Sequence, residues 1–292
     1  MGQTANSGRR ARNKLASAAV TFKRLVMLEP IIQQFQPITL EEMSTIKLMN
    51  RTDTKFVTSV PVLCQLLKLA QGEYRAQETD GLRLSPYHTL YFDTPDCAMY
   101  VAHQNGHLNR QKLRVRSYVS SGLHFLEVKT KDNHKRTHKK RVTLTEHDKQ
   151  QWPAIVQASQ GQVSDFLSQR LRYDHTSLLP MLENEFNRIT LVNRACTERL
   201  TIDSGLRFTN WTTHQHRVMT HLVIIELKRD GLQPSPILDM LRMLRIKPHG
   251  FSKYCMGMAF TDASLKQNRF KERMRSVERI MSQAQQHSSI TQ

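Results

Sequence analysis

The stretch at 110–144, RQKLRVRSYVSSGLHFLEVKTKDNHKRTHKKRVTL, holds eleven Lys or Arg residues and only two acids. Turn-forming residues at SSG and KDNH divide it into strands near 110–120, 123–131 and 135–144. Because side chains alternate between the two faces of a strand, most of these cations share one face and apolar side chains share the other. A sheet face with this much like charge is either solvated or built to hold an anion.

The alternation also sorts the residues of KKRV at 139–142. Lys139 has the same parity as Arg141, whereas Lys140 and His138 have the opposite parity. The sequence leaves a one-residue ambiguity between Lys139 and Lys140, and parity favours Lys139 for the charged face.

Similar alternation predicts further strands along the rest of the chain. They lie at 50–59, 73–80, 88–94, 181–192, 198–203, 206–211 and 221–230. Helical periodicity is found at 60–70, 96–105, 146–172, 236–244 and 251–260, with helix caps expected at Thr39, Thr145 and Ser235. Strands that are mostly adjacent in sequence predict an α+β fold with a mainly antiparallel sheet. Such a sheet can close on itself as a barrel.

Charge and composition divide the chain into three parts. Residues 1–26 carry six cations and no acid, and we expect a flexible basic leader. We expect the folded domain at 27–263, and a basic polar tail, helical or disordered, at 264–292. Removing the leader's charge from the net charge of +18 leaves +12, so the folded part is basic in its own right. Nucleic acid, anionic membrane, nucleotides and polyphosphate are the partners that such charge favours.

Several classes of protein are disfavoured. No apolar run approaches the length of a membrane span, and the basic leader lacks the apolar core of a signal peptide, so we expect a cytoplasmic protein. The four cysteines are widely spaced and predict reduced thiols rather than a zinc site. Aromatic residues make up only 7% of the chain, which disfavours single-stranded nucleic acid as a ligand. The basic tails leave an anionic membrane or a membrane protein as a further candidate partner.

A closed sheet would bring the cations together around a lumen. Each like-charge pair would cost roughly 1–4 kcal/mol, so the lumen must be wet or filled by anions. Neither of the usual glycine-rich phosphate-binding motifs is present, so side chains must hold any phosphate. Glu127 in LEVK and Glu226 in IELK each lie two residues from a lysine on the same face, where a carboxylate can bind a divalent metal beside phosphate.

Nine short motifs, in order, resemble one known family. They are KF at 55–56, YFDT at 91–94, RQKLRVRSY at 110–118, LEVK at 126–129, KKRV at 139–142, FNR at 186–188, ERLTID at 198–203, IELK at 225–228 and SKY at 252–254. This order resembles the VTC domain, the polyphosphate polymerase domain of the vacuolar transporter chaperone complex and its bacterial relatives. The VTC domain belongs to the CYTH-like, or triphosphate tunnel metalloenzyme, superfamily.

The resemblance implies an antiparallel eight-stranded β-tunnel, a closed barrel with a basic lumen and peripheral helices. It also implies transfer of the γ-phosphate of ATP to a polyphosphate chain with a divalent metal, Mn or Mg. Carried over by motif, the catalytic positions are Arg114, Arg116, Lys129, Lys139, Arg188, Arg199 and Glu226, the last also binding the metal. The further phosphate-binding positions are Lys55, Arg110, Lys112, Arg141, Lys228, Ser252 and Lys253.

Two positions depart from the family pattern. Phe186 stands where the family usually has Tyr, which removes a hydroxyl contact to phosphate. Asp53 stands where many superfamily members have Glu, which weakens the case for a metal ligand there.

Two alternatives remain open. The first keeps the tunnel but hydrolyses triphosphate or polyphosphate, with water as the acceptor. The second is a polyanion-binding protein without catalytic activity, for nucleic acid or polyphosphate.

Overall fold

The structure, a computed structural model, describes residues 27–44, 46, 51–134, 136–231 and 233–290. The predicted leader at 1–26 lies outside these residues. Its strands are β1 Gln36–Ile38, β2 Arg51–Ser59, β3 Tyr74–Gln77, β4 Ser85–Asp93, β5 Arg110–Tyr118, β6 Leu123–Lys131, β7 Thr137–Thr143, β8 Leu179–Asn193, β9 Glu198–Asn210, β10 His216–Val218 and β11 Leu222–Asp230.

Helices fill the connections. They are α1 at 27–32, α2 Leu40–Ser44, α3 Val60–Ala70, α4 Ala98–Gln104, α5 Glu146–Gln150, α6 Gln162–Arg170, α7 Pro236–Met243, α8 Lys253–Thr261 and α9 Lys271–Ile290, with 3₁₀ turns at Ala154–Gln157 and His175–Ser177. None of the helices in the described ranges has both the length and the apolar character needed to cross a bilayer.

Two of the three expected helix caps form. Thr39 and Glu42 bond reciprocally at the start of α2, and Thr145 and Asp148 do the same at the start of α5. Such reciprocal bonds satisfy backbone N–H groups that have no partner within the helix. Ser235 occupies the N-cap position of α7, but its side chain makes no capping bond.

The eight long strands form one antiparallel sheet in the order β2-β11-β9-β8-β4-β5-β6-β7. The short β1 and β3 pair in parallel, and β3 joins the sheet beside β8. Among the residues described, no hydrogen-bonded ladder connects β2 to β7, although both strands line the same cavity. The sheet is therefore a half-barrel, and the closed barrel expected from the sequence is not observed.

The strands predicted at 198–203 and 206–211 are one continuous strand, β9. Gly205 lies between them with φ +66°, and the register of β9 against β8 shifts opposite this point, between Glu185 and Asn187. A glycine at positive φ is typical of a β-bulge, which bends a strand without ending it. The turn residues of the sequence thus mark a bulge rather than a loop.

Apolar cores cover both faces of the sheet. On the face opposite the cavity, α1, α3 and α7 pack on Ile189, Ile202 and Ile225, and α6 packs on Val115 and Leu126. On the concave face, α8 and α9 pack on one end of the sheet and bury a second set of apolar side chains. The helices therefore confine the charged part of the concave face to the remainder of the half-barrel.

Candidate functional site

The concave face encloses a cavity of about 1760 Å³ with a strongly basic lining. The carboxylates on the lining are Asp53, Asp203 and Glu226. Its cationic side chains are Lys55, Arg110, Lys112, Arg114, Arg116, Lys129, Lys131, Arg136, Lys139, Arg141, Arg188, Arg199, Lys228, Lys253 and Arg273. Fifteen cations against three carboxylates give the cavity a strong excess of positive charge, which favours anionic ligands.

Glu127 is the buried counterion of the wall formed by β5, β6 and β7. Its side chain is fully buried, and its Oε2 accepts hydrogen bonds from Nε (2.8 Å) and Nη2 (2.6 Å) of Arg114. Lys139 Nζ lies 3.0 Å from Oε1. Burial acts to raise the pKa of Glu127, but Arg114, Arg116 and Lys139 outweigh it and lower the pKa to about 2. This carboxylate therefore fixes two cations in place, and because it lies off the cavity lining it is not a candidate metal ligand beside bound phosphate.

Asp203 is the buried counterion on the opposite wall of the cavity. Arg188 donates from Nε to Oδ1 at 2.6 Å and from Nη2 to Oδ2 at 2.8 Å, and Lys253 forms a short ion pair with Oδ2. Burial opposes ionisation, yet the charges of Arg188 and Lys253 hold the pKa of Asp203 well below its usual value. A cation from α8 is thus tied to a strand on the concave face.

Glu226 is surrounded by lysines. Its Oε1 lies 3.1 Å from Lys228 Nζ, and Lys55 stands opposite it in the ladder between β11 and β2. Although burial acts against the charged form, Lys55, Lys228 and Lys129 keep the pKa of Glu226 well below its ordinary value. Burial, with the charges of Lys55 and Arg114, lowers the pKa of Lys129 to about 7.

The start of α8 reaches into the cavity. Ser252 caps the helix by accepting a hydrogen bond from the backbone N–H of Cys255 at 3.3 Å, and Lys112 Nζ donates to the same hydroxyl at 2.7 Å. Lys55 Nζ lies 3.3 Å from the carbonyl oxygen of Phe251. The segment that enters α8 is therefore held by cations from two strands at opposite sides of the half-barrel.

Arg116 is stabilised by aromatic rings. Its guanidinium lies 5.7 Å from the ring centre of Tyr87 and 6.0 Å from that of Phe186, and its buried Nε has no hydrogen-bond partner among the residues that the structure describes. Lys253 Nζ lies 4.3 Å from the same Phe186 ring. Burial and the nearby Arg114 and Arg188 lower the pKa of Arg116 to about 10. Phe186 thus offers cations the face of a ring where a tyrosine would add a hydroxyl.

The sequence model of the VTC domain family matches residues 50–261, which is most of the chain. The chain belongs to the VTC domain family. No curated protein sequence matches it.

Solved structures that resemble this VTC domain protein are distant. A candidate adenylate cyclase from Bacillus halodurans has a TM-score of 0.47 and 14% identity, covering 70% of this chain and 96% of its own. A candidate adenylyl cyclase from Hippeastrum, described as having a dominant triphosphatase activity, has a TM-score of 0.43 and 14% identity, covering 73% and 97%. The PH1819 protein of Pyrococcus horikoshii has a TM-score of 0.40 and 10% identity, covering 72% and 96%. The assignment of the chain to the VTC domain family rests on the sequence match and not on these structural similarities.

All fourteen residues expected from the VTC resemblance line this one cavity. Lys139 is on the lining and Lys140 is not, as strand parity predicts. His138 differs from the expectation. Its parity places it on the face opposite Lys139, yet it borders the cavity, where its Nε2 lies 3.1 Å from Asp132 Oδ2.

Several cavity residues escaped the sequence reasoning. Asp203 carries the inward parity of β9, but its role as a counterion depends on Arg188 of another strand and on Lys253 of a distant helix. Arg273 belongs to α9, within the segment expected to be a tail, and no local pattern indicates that it reaches the sheet. His103 on α4 also lines the cavity.

The carboxylates on the VTC cavity do not form a complete protein-made metal site. No group of three or more metal-ligating side chains occurs in the portion of the chain that the structure describes. Mg²⁺ and similar ions commonly take one or two carboxylates and complete their shell with water and substrate phosphates. Glu226, which is ionised and on the cavity wall, fits that role, and Asp53 lies two residue pairs away on β2, opposite Lys228.

Proposed function

We propose that this protein is a metal-dependent polyphosphate polymerase that transfers the γ-phosphate of ATP to a polyphosphate chain. The observation that carries the proposal is that cations pair with two of the three carboxylates on the cavity lining. Asp203 is occupied by Arg188 and Lys253, and Glu226 by Lys228. Both are held ionised by cations, so neither is poised as a base with a pKa near neutrality for activating water.

A phosphate acceptor suits such a site. A terminal oxygen of polyphosphate is already anionic, so it attacks the γ-phosphorus of ATP without first losing a proton to the protein. The new P–O bond forms as the bond between the γ-phosphorus and the β–γ bridging oxygen breaks, and ADP leaves with that electron pair. Catalysis then depends on alignment and charge neutralisation.

The side chains of this chain divide that work. Arg114 and Arg188 are fixed by buried carboxylates, so their guanidinium groups are oriented before a ligand arrives. Lys129, Lys139, Lys228 and Lys253 supply compact point charges around the same space, which suits phosphate oxygens. A divalent ion, Mn or Mg, on Glu226 and substrate phosphates would neutralise charge on the transferred group.

We further infer that a bound polyanion draws β7 toward β2 and closes the half-barrel into a tunnel. The like charges of Lys55 on β2 and of Lys139 and Arg141 on β7 face the same cavity and repel one another when it is empty. An anion between them removes that repulsion.

The deciding experiment is incubation of the purified protein with ATP and Mn²⁺ or Mg²⁺, followed by separation of the phosphate products by chain length. Long-chain polyphosphate with stoichiometric ADP supports the polymerase. Free phosphate with no chains identifies the triphosphate hydrolase instead. Tight polyanion binding without ATP turnover identifies a binding protein.

A further inference from the structure

Helix α9 belongs to the site although it lies beyond the matched family domain, which ends at residue 261. Its buried side chains Val277 and Met281, with Phe270 just before it, pack in the concave-face core. It packs beside β2 and β11. The sequence predicts only a basic polar tail here, helical or disordered, but one face of α9 is part of the folded structure.

Arg273 lies on this inward face, three residues after Phe270. Residues three and four apart share a face of a helix, so Arg273 points the same way as the buried apolar residues. Its guanidinium reaches the cavity lining and packs against the loop before α8, where a Cβ built on Gly250 would lie 3.7 Å from Arg273 Cζ. It forms no ion pair with any residue that the structure describes.

Other cations lie in the same part of the cavity as Arg273, which we call its mouth. Arg110 and Lys131 are directly opposite each other in the ladder between β5 and β6. Burial, with the charges of Lys112, Arg110, Arg273 and Lys131, lowers the pKa of His103 to about 2. The nearest acids in sequence, Asp132 and Glu272, are absent from the lining. The mouth is therefore a cluster of cations from α9 and two strands.

The mouth is separated from the centre of the cavity. Arg110 lies four residues from Arg114, which is roughly 13 Å along a strand. A short anion held at Arg114 and Arg188 would leave the mouth unfilled, whereas a long chain of phosphates would pass through it.

We propose that Arg273, together with Arg110 and Lys131, forms a second polyanion subsite that holds polyphosphate beyond the reacting phosphates. Helix α9 is thus a determinant of chain-length preference. The effect on product length rests on the proposed polymerase function, whereas the effect on binding does not.

The test compares Arg273→Gln with Arg279→Gln, which removes the same charge from an exposed position on the same helix. Binding of long-chain polyphosphate and of tripolyphosphate is measured by calorimetric titration at several salt concentrations. We expect Arg273→Gln to weaken long-chain binding about tenfold and to reduce its salt slope by about one, since one fewer phosphate contact is made. Tripolyphosphate binding should stay unchanged, and Arg279→Gln should match the wild type for both ligands.

Arg273→Lys serves as the rescue variant, because it keeps the charge and should bind long chains nearly as well as the wild type. The subsite is overturned if Arg273→Gln binds long chains as Arg279→Gln does, or if it weakens tripolyphosphate equally. With ATP and metal, Arg273→Gln should give shorter products. Length-selective binding with no synthesis by the wild type would remove the polymerase and keep the subsite. Synthesis by the wild type with unaltered binding by Arg273→Gln would keep the polymerase and remove the subsite.

Discussion

Arg188 on β8 and Asp203 on β9 form a two-pronged ion pair across adjacent strands, with N–O distances of 2.6 and 2.8 Å. The same carboxylate also binds Lys253 at the start of α8. One acid thus joins the sheet to the helix that covers its concave face. Removing one partner from such a buried cluster leaves charges without compensation.

Asp203→Asn should therefore lower the free energy of unfolding by about 3 kcal/mol. Tripolyphosphate should restore more stability to this variant than to the wild type, because the anion replaces the lost charge. Urea unfolding with and without tripolyphosphate measures both effects. Asp239→Asn is the control, since its pair with Arg242 is exposed and should contribute little. Equal unfolding free energies for the two variants would contradict the role of Asp203.

Glu127 makes a pH-dependent contribution to stability. Its pKa falls from an ordinary 4.5 to about 2 on folding, so its contribution is complete above about pH 4.5 and is lost as the pH falls toward 2. The shift corresponds to about 3 kcal/mol. The difference in unfolding free energy between the wild type and Glu127→Gln should be largest near pH 6 and shrink by pH 3. A difference that stays constant over this range would refute the assignment.

Lys129 should make anion binding sensitive to pH near neutrality. With its pKa at about 7 in the empty cavity, Lys129 is charged below that value and neutral above it. The affinity for tripolyphosphate should therefore fall between pH 6 and 9. Arginine stays charged over this range, so Lys129→Arg should flatten the decline, whereas Lys129→Met should bind weakly already at pH 6. An unchanged slope in Lys129→Arg would assign the pH dependence to other groups.

Glu226 should be required for metal-dependent synthesis. Glu226→Ala removes the carboxylate proposed to bind the metal, and we expect a loss of polyphosphate synthesis of about 100-fold or more in a folded protein. Product analysis with ATP and Mn²⁺ measures the loss, and circular dichroism checks the fold. Glu185→Ala, at an exposed position outside the cavity, is the control. Full activity in Glu226→Ala would exclude the assignment.

Lys139 and Lys140 provide an internal comparison. Lys139 lines the cavity and contacts Glu127, whereas Lys140 stands opposite Val128 on the other parity. Lys139 is partly exposed, so its charge should contribute about 1 kcal/mol, and Lys139→Met should weaken long-chain polyphosphate binding about fivefold. Lys140→Met should bind like the wild type. A larger effect at Lys140 would mean that β7 is shifted by one residue.

Strand alternation and the family resemblance together predicted fourteen residues, and all of them line one cavity. The parity rule put Lys139 and Arg141 on one face, and the ordered motifs assembled residues as distant as Lys55 and Lys253. Closure of the sheet was not predictable, because it depends on whether the two edge strands meet, and no residue pattern within β2 or β7 encodes that distance. Arg273 was missed because its position depends on how α9 packs, and the sequence there reads as a polar helix.

The continuity of α8 ties two properties of this protein together. The helix begins with Ser252 and Lys253 in the cavity and continues through Tyr254, Met256 and Met258 into the apolar core. Any opening of α8 thus withdraws a phosphate-facing charge and exposes core side chains in the same event. The protein consequently cannot widen its binding site at this end without lowering its resistance to heat, and a ligand held there should raise its melting temperature.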